Sequence, residues 1–184
     1  DMSTFLGIDV GTSGTKAVLI DDAGVVIATA VGVHEPSAPR IGYSEQNPAD
    51  WWGSTVDAIG QVTRTAGISP QAIDAVGPTG QMHGLVALDA SLEAVRPAIL
   101  WNDQRSAPQC AEYEARIGIE TLISETGNRL LPGFTAPKLL WMREHEPELF
   151  ARIDKVLLPK GKESLRSDLQ FGLDSSPAQG GASS

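Results

Sequence analysis

A chain of 184 residues, 41% hydrophobic and 20% charged, carries enough apolar material for one core-bearing globular domain. Its formal net charge of −9 and pI near 4.7 weigh against nucleic acid or an anionic membrane surface as partner, since both demand clustered Lys and Arg. A single cysteine, Cys110, rules out an intrachain disulfide framework and suits a reducing cytosol, where it reads as a packed structural thiol.

The chain starts Asp1-Met2 without a basic leader, and its first apolar run is too short for a signal sequence or a membrane span. Cytoplasm is the expected compartment. That first run, Leu6-Gly7-Ile8-Asp9-Val10, ends in a carboxylate and passes through Gly11-Thr12-Ser13-Gly14 into a second run around Lys16-Ala17-Val18. Two strands joined by a tight loop are expected. The glycines permit close backbone approach, and successive exposed N–H groups in such a turn cradle an anion. Asp9 could position a hydrated Mg²⁺ beside that anion. The same pattern also fits an ordinary hairpin with an aspartate in its turn. Neither a Walker A loop nor a G-x-G-x-x-G fingerprint occurs anywhere in the chain.

Asp21-Asp22-Ala23-Gly24 predicts a turn and Val25–Val33 a third strand. Residues 34–47, with Pro36, Pro39 and Gly42, read as a connecting loop. Asn47-Pro48 is a helix start, and Trp52, Val56, Ile59, Val62 and Ala66 recur at helical spacing up to Gly67. Trp51 and Trp52 are read mainly as core or groove wall. Strands are expected over 73–78, 85–88 and 98–101, and again near Val156. Helical patterns cover 106–128 and 136–153, with Pro147 dividing the second.

Three polar clusters stand at the ends of apolar strands: the Asp9 loop, Gln81-Met82-His83, and Trp101-Asn102-Asp103-Gln104-Arg105. Strand ends of open α/β sheets are where ligands collect. Amides and carboxylates beside Trp suit a carbohydrate, because the ring covers C–H faces while the polar groups pair with hydroxyls. Each cluster has a plainer reading. His83 fits a turn, Asp103 a helix cap and Arg105 a solvated charge. His34 and His145 lack supporting neighbours and receive no role. No nucleophile elbow and no Cys/His metal spacing is present.

Gly7-Ile8-Asp9-Val10-Gly11-Thr12-Ser13, Gly80-Gln81-Met82-His83-Gly84, Ile99-Leu100-Trp101-Asn102-Asp103 and Pro132-Gly133-Phe134-Thr135-Ala136-Pro137-Lys138-Leu139-Leu140-Trp141 follow in this order. Together they resemble the FGGY carbohydrate-kinase family of the sugar-kinase/Hsp70/actin superfamily. The Gln-Met-His-Gly and Trp-Asn-Asp elements resemble those that separate its xylulose-type kinases from glycerol kinases. The resemblance implies an α/β ribonuclease-H-like domain with a mixed sheet, the N-terminal one of two, with ATP and sugar meeting in the cleft between them. It implies transfer of the ATP γ-phosphoryl group to D-xylulose, giving D-xylulose 5-phosphate, and a homodimer for the full-length family member.

By the same resemblance Met82, His83 and Asp103 contact the ketose, with Gln81, Trp101 and Asn102 beside them. Asp9 organises Mg²⁺, through water, and the phosphates. Gly11, Thr12, Ser13, Gly14 and Lys16 form the phosphate loop. After Leu157–Lys160 the family pattern stops. Residues 1–160 are therefore expected to be the FGGY-type domain, and 161–184, ending in Ser175–Ser184, a divergent disordered tail. The change at Gly161 reads as a frameshift, an early stop or a truncation. The family's catalytic Asp belongs to a later Gly-rich motif, and Asp168 and Asp174 match no family motif. The chain alone is thus expected to have little or no kinase activity. The alternatives are a non-catalytic sugar- or nucleotide-binding remnant, or a kinase for another ketose or a polyol.

Overall fold

The computed structural model describes residues 3–161. In chain order these form β1 (Thr4–Val10), β2 (Gly14–Asp21), β3 (Val26–Val33), β4 (Glu45–Gln46) and α1 (Pro48–Ala66). Then come β5 (Ala75–Gly80), β6 (Val86–Leu88), β7 (Ala98–Ile99), α2 (Ala107–Ile117), α3 (Ile119–Thr126), α4 (Thr135–His145), α5 (Pro147–Phe150) and β8 (Lys155–Leu157). The expected divergent tail, from residue 162 onward, lies outside the described residues.

β1, β2 and β3 form an antiparallel meander, and β5 joins β1 in parallel after the α1 crossover, in the order β3-β2-β1-β5. This is the mixed sheet expected of a ribonuclease-H-like domain. Period-2 alternation aims Leu6, Ile8 and Val10 of β1 and Ala17 and Leu19 of β2 into the core, leaving Gly7, Asp9 and Lys16 on the open face. Two short antiparallel pairs, β4–β7 and β6–β8, extend the fold beyond the sheet.

The α1 start follows the sequence signals. Asn47 Oδ1 accepts from the Ala49 amide at 3.1 Å, Pro48 opens the helix, and Gly67 closes it in the left-handed region. The buried stripe differs from the one expected. Trp51, Ser54, Thr55, Ala58 and Val62 face the sheet, while Val56 is exposed. Three small residues in that stripe let β3 lie very close, and the polar ones enter a hydrogen-bond network behind the Asp9 loop. That network outweighs simple apolar periodicity.

Residues 85–88 are buried on both sides. Val86 and Leu88 join the core under the sheet, and Leu85 and Ala87 join a second cluster with Val95, Ile99, Trp141 and Met142. This explains why they read as an unbroken apolar run. The single helix expected over 106–128 is two, because Gly118 at φ 91° turns the chain between α2 and α3. Pro147 divides α4 from α5 as expected. β4, inside the expected loop, is held by its pairing with β7 rather than by local propensity.

Candidate active site

The Asp9 loop is a four-residue turn closed by the Gly11 amide donating to Gly14 O at 3.0 Å. The ladder resumes at Val10 and Thr15, so the Thr12 and Ser13 amides sit at the tip of the turn. Asp9 and Lys16 are cross-strand partners on the open face, and both are exposed. Behind the turn lies a buried polar network. His34 Nε2 meets Gly11 O at 3.0 Å, and His34 Nδ1 meets Ser54 Oγ at 2.7 Å. A carbonyl can only accept, so Nε2 carries the proton toward Gly11 O, and Ser54 Oγ donates in turn to Trp51 O at 2.9 Å. Thr15 Oγ1 lies 2.9 Å from the same Ser54 Oγ.

Gln46 ties this turn to the second polar cluster. Its Nε2 donates to Thr12 O at 2.6 Å, and its Oε1 accepts from Trp51 Nε1 at 2.8 Å and from Gln81 Nε2 at 3.1 Å. Neither His34 nor Gln46 is marked by its neighbours in sequence. Both act through partners 5 to 35 positions away, so local pattern could not expose them.

The second and third clusters meet at a cavity of about 450 Å³ lined by Gln81, Met82, His83, Trp101, Gln104 and the 131–134 loop. Trp101 is half exposed, and its Nε1 donates to Thr12 Oγ1 at 3.1 Å. The cavity wall and the Asp9 loop are therefore joined directly, by this bond and by Gln81 Nε2 donating to Gly11 O at 3.5 Å. His83 adopts φ 60°, a left-handed conformation that costs a side-chain-bearing residue about 1–2 kcal/mol. Its ring packs on Phe134 with centroids 4.7 Å apart. Gly133 passes so near Trp101 that a Cβ there would come within 2.7 Å of the Trp101 carbonyl oxygen. Trp51 belongs to the core and takes no part in this lining.

Asp103 stands behind the wall, outside the cavity lining, and Asn102 is exposed beside it. Asp103 is fully buried. Its Oδ1 accepts from the Arg105 amide and Nε, both at 2.9 Å, and its Oδ2 from Arg105 at 2.8 Å and the Ser44 amide at 2.6 Å. It caps no helix, since the α2 start carries no side-chain cap. Arg105, read as a solvated charge, is buried too. Tyr43 and Trp141 flank its guanidinium at 3.9 and 4.8 Å, and Glu45 adds an ion pair at 2.7 Å. Burial works against this charge, but the Asp103 and Glu45 contacts prevail and hold Arg105 above its ordinary pKa. His145, also without an expected role, stacks on Trp141 at 5.0 Å.

A metal has one carboxylate to lean on here. Among the described residues no cluster of three or more His, Cys, Asp or Glu could enclose an ion. A lone exposed Asp9 fits Mg²⁺, which keeps most of its waters and takes few protein ligands. The buried Gln81 Oε1 lacks a hydrogen-bond partner among the described residues. A metal-bound water or a ligand hydroxyl would satisfy it.

Residues 4–177 match the model of the FGGY family of carbohydrate kinases, N-terminal domain. This chain belongs to that family. The FGGY chain is 46% identical over 176 residues to the xylulose kinase of Escherichia coli strain K12, covering 96% of this chain and 36% of that relative. Its structure is similar to that of a xyloylose kinase from Brucella ovis, with TM-score 0.83, 45% identity, and coverage of 88% and 34%. It is equally close in shape to a gluconate kinase from Lactobacillus acidophilus, with TM-score 0.83, 25% identity, and coverage of 90% and 33%. The chain thus spans about a third of the length of these relatives. Membership of a kinase family implies a phosphoryl donor and a divalent cation. No described helix is long and apolar enough to cross a membrane.

Proposed function

We propose that this chain forms the sugar- and phosphate-loop half of a xylulose kinase that phosphorylates D-xylulose at the expense of ATP. The observation that carries this reading is the Trp101–Thr12 hydrogen bond, which sets the 450 Å³ cavity directly against the Asp9 loop. Phosphoryl transfer needs acceptor and phosphate in line and close, with charge neutralised at the oxygens. The Thr12 and Ser13 amides and Lys16 would supply positive potential to the phosphates. Asp9 would hold Mg²⁺ through water, and the ion would add neutralising charge there. Gln81 and His83 would pair with sugar hydroxyls, while Trp101, Met82 and Phe134 cover the carbon faces. Asn102 stands at the rim, and Asp103 would act by holding the wall rather than by touching sugar.

The general base and the far side of the cleft are assigned to a second domain, so these 184 residues alone would turn over little or no substrate. Cytoplasmic placement and a homodimer of the longer protein belong to the same proposal. Calorimetric titration with D-xylulose tests it. Saturable binding lost in His83→Ala is expected, together with ADP release near background. A folded chain that binds no D-xylulose would sink the assignment. The Lactobacillus gluconate kinase neighbour favours a second reading, a kinase for a different polyhydroxylated acceptor. Tighter binding of D-gluconate or another ketose in the same titration would select it.

A further inference from the structure

Lys138 is completely buried, yet its ammonium has no carboxylate partner within ion-pair distance among the described residues. Asp103, the nearby acid, is committed to Arg105 and Ser44. Instead Lys138 Nζ donates to three main-chain carbonyls: His83 at 3.3 Å, Phe134 at 3.1 Å, and Gly133. Those are all the donors an ammonium has. Thr135 Oγ1 adds a second donor to His83 O at 3.2 Å. The three carbonyls belong to two segments far apart in sequence, and both segments line the cavity. One of them holds His83 in its left-handed conformation.

We propose that Lys138 is a positioning residue for the sugar pocket, clamping the His83 turn to the 133–134 loop from behind and so setting the pocket's width. Lys138 does not line the cavity, so it touches no ligand there. The proposal rests on the reading of that cavity as the sugar site. Deprotonation leaves two donors for three carbonyls and aims a lone pair at the third, which slackens the clamp. Burial pushes the Lys138 pKa down to about 8, against the attraction of Asp103 and Cys110, while Arg105 lowers it further. A buried lysine with a lowered pKa makes the folded state bind fewer protons than the unfolded chain between about 8 and 10.5. Global stability therefore rises with pH through that window even as the clamp loosens. The Cys110 thiol, pushed up chiefly by burial, works in the opposite direction. A Cys110→Ala background removes it.

Hydrogen exchange read by mass spectrometry is the test, with wild type, Lys138→Met and Thr135→Val in that background. Lys138→Met is expected to speed exchange of 81–84 and 131–134 at least tenfold while leaving β1–β3 unchanged. In the Lys138-containing protein, D-xylulose affinity should fall at least fivefold from pH 7 to 9.5, with its midpoint near 8, and Lys138→Met should lack that dependence. Unchanged exchange, a uniform rise across the chain, or a pH dependence retained in Lys138→Met overturns the proposal. If Lys138→Met does not fold, the Lys138-containing protein at pH 7 and 9.5, corrected for intrinsic exchange, decides. Selective loosening of the two segments supports the clamp, and its absence overturns it. A chain that binds no D-xylulose at any pH defeats the sugar reading, while the exchange result still judges Lys138.

Discussion

The two halves of the candidate site are built from different materials. The Asp9 side rests on main chain and hydrogen-bonded polar groups: a closed turn, the imidazole of His34, the hydroxyls of Thr15 and Ser54, and the amide of Gln46. The cavity side rests on buried charge: Asp103 against Arg105 and Glu45, and Lys138 against three carbonyls. Removing one partner from the first kind of network strands a polar atom. Removing one from the second strands an ion, which costs more in a low-dielectric interior. The loop side should therefore tolerate substitution better than the cavity side.

The largest expected effect breaks the charged half. Asp103→Ala leaves Arg105 buried with Glu45 as its remaining partner and frees the Ser44 amide, so urea unfolding should show a loss of about 3–5 kcal/mol. A loss under about 1 kcal/mol would erase the contrast with the loop half. His34→Ala is the matching cut on the loop side. It leaves Gly11 O with a long 3.5 Å contact to Gln81 Nε2, while Ser54 Oγ keeps Trp51 O and Thr15 Oγ1, and about 1–3 kcal/mol should go in the same measurement. D-xylulose binding should persist in that variant, since the hydrogen bonds of His34 run to Gly11, Ser13 and Ser54, none of which lines the cavity. The smallest effect sharpens the seam between the halves. Thr12→Val removes the acceptor for Trp101 Nε1, with at most about 1.5 kcal/mol of stability lost and a changed near-UV circular dichroism signal from the freed indole.

How much was legible in the sequence follows the same division. The Asp9 turn is a continuous stretch, so strand periodicity and turn chemistry place β1, β2 and the loop within a residue or two. The cavity wall is assembled from segments near 81–84, 101–104 and 131–134. Strand-end position marks the first two as polar clusters where a ligand collects, and only family resemblance adds the third. What stayed hidden was connection through space. His34 and His145 have undistinguished neighbours but pack on Ser54 and Trp141. Arg105 looks like any surface arginine until Tyr43 and Trp141 enclose it. Asp103 sits in a motif that suggests ligand contact, while its burial shows both oxygens already committed within the protein.

The half-exposed indole of Trp101 has an optical consequence. Trp51 and Trp141 are shielded by the core, whereas Trp101 meets solvent at the seam between loop and cavity. An aqueous quencher such as acrylamide will reach Trp101 before those two. Trp52 is half-buried, so the part of the accessible emission that disappears in Trp101→Phe is what reads this seam without a label. A molecule seated there should dim the quenching, and the protein reports its own occupancy in ultraviolet light.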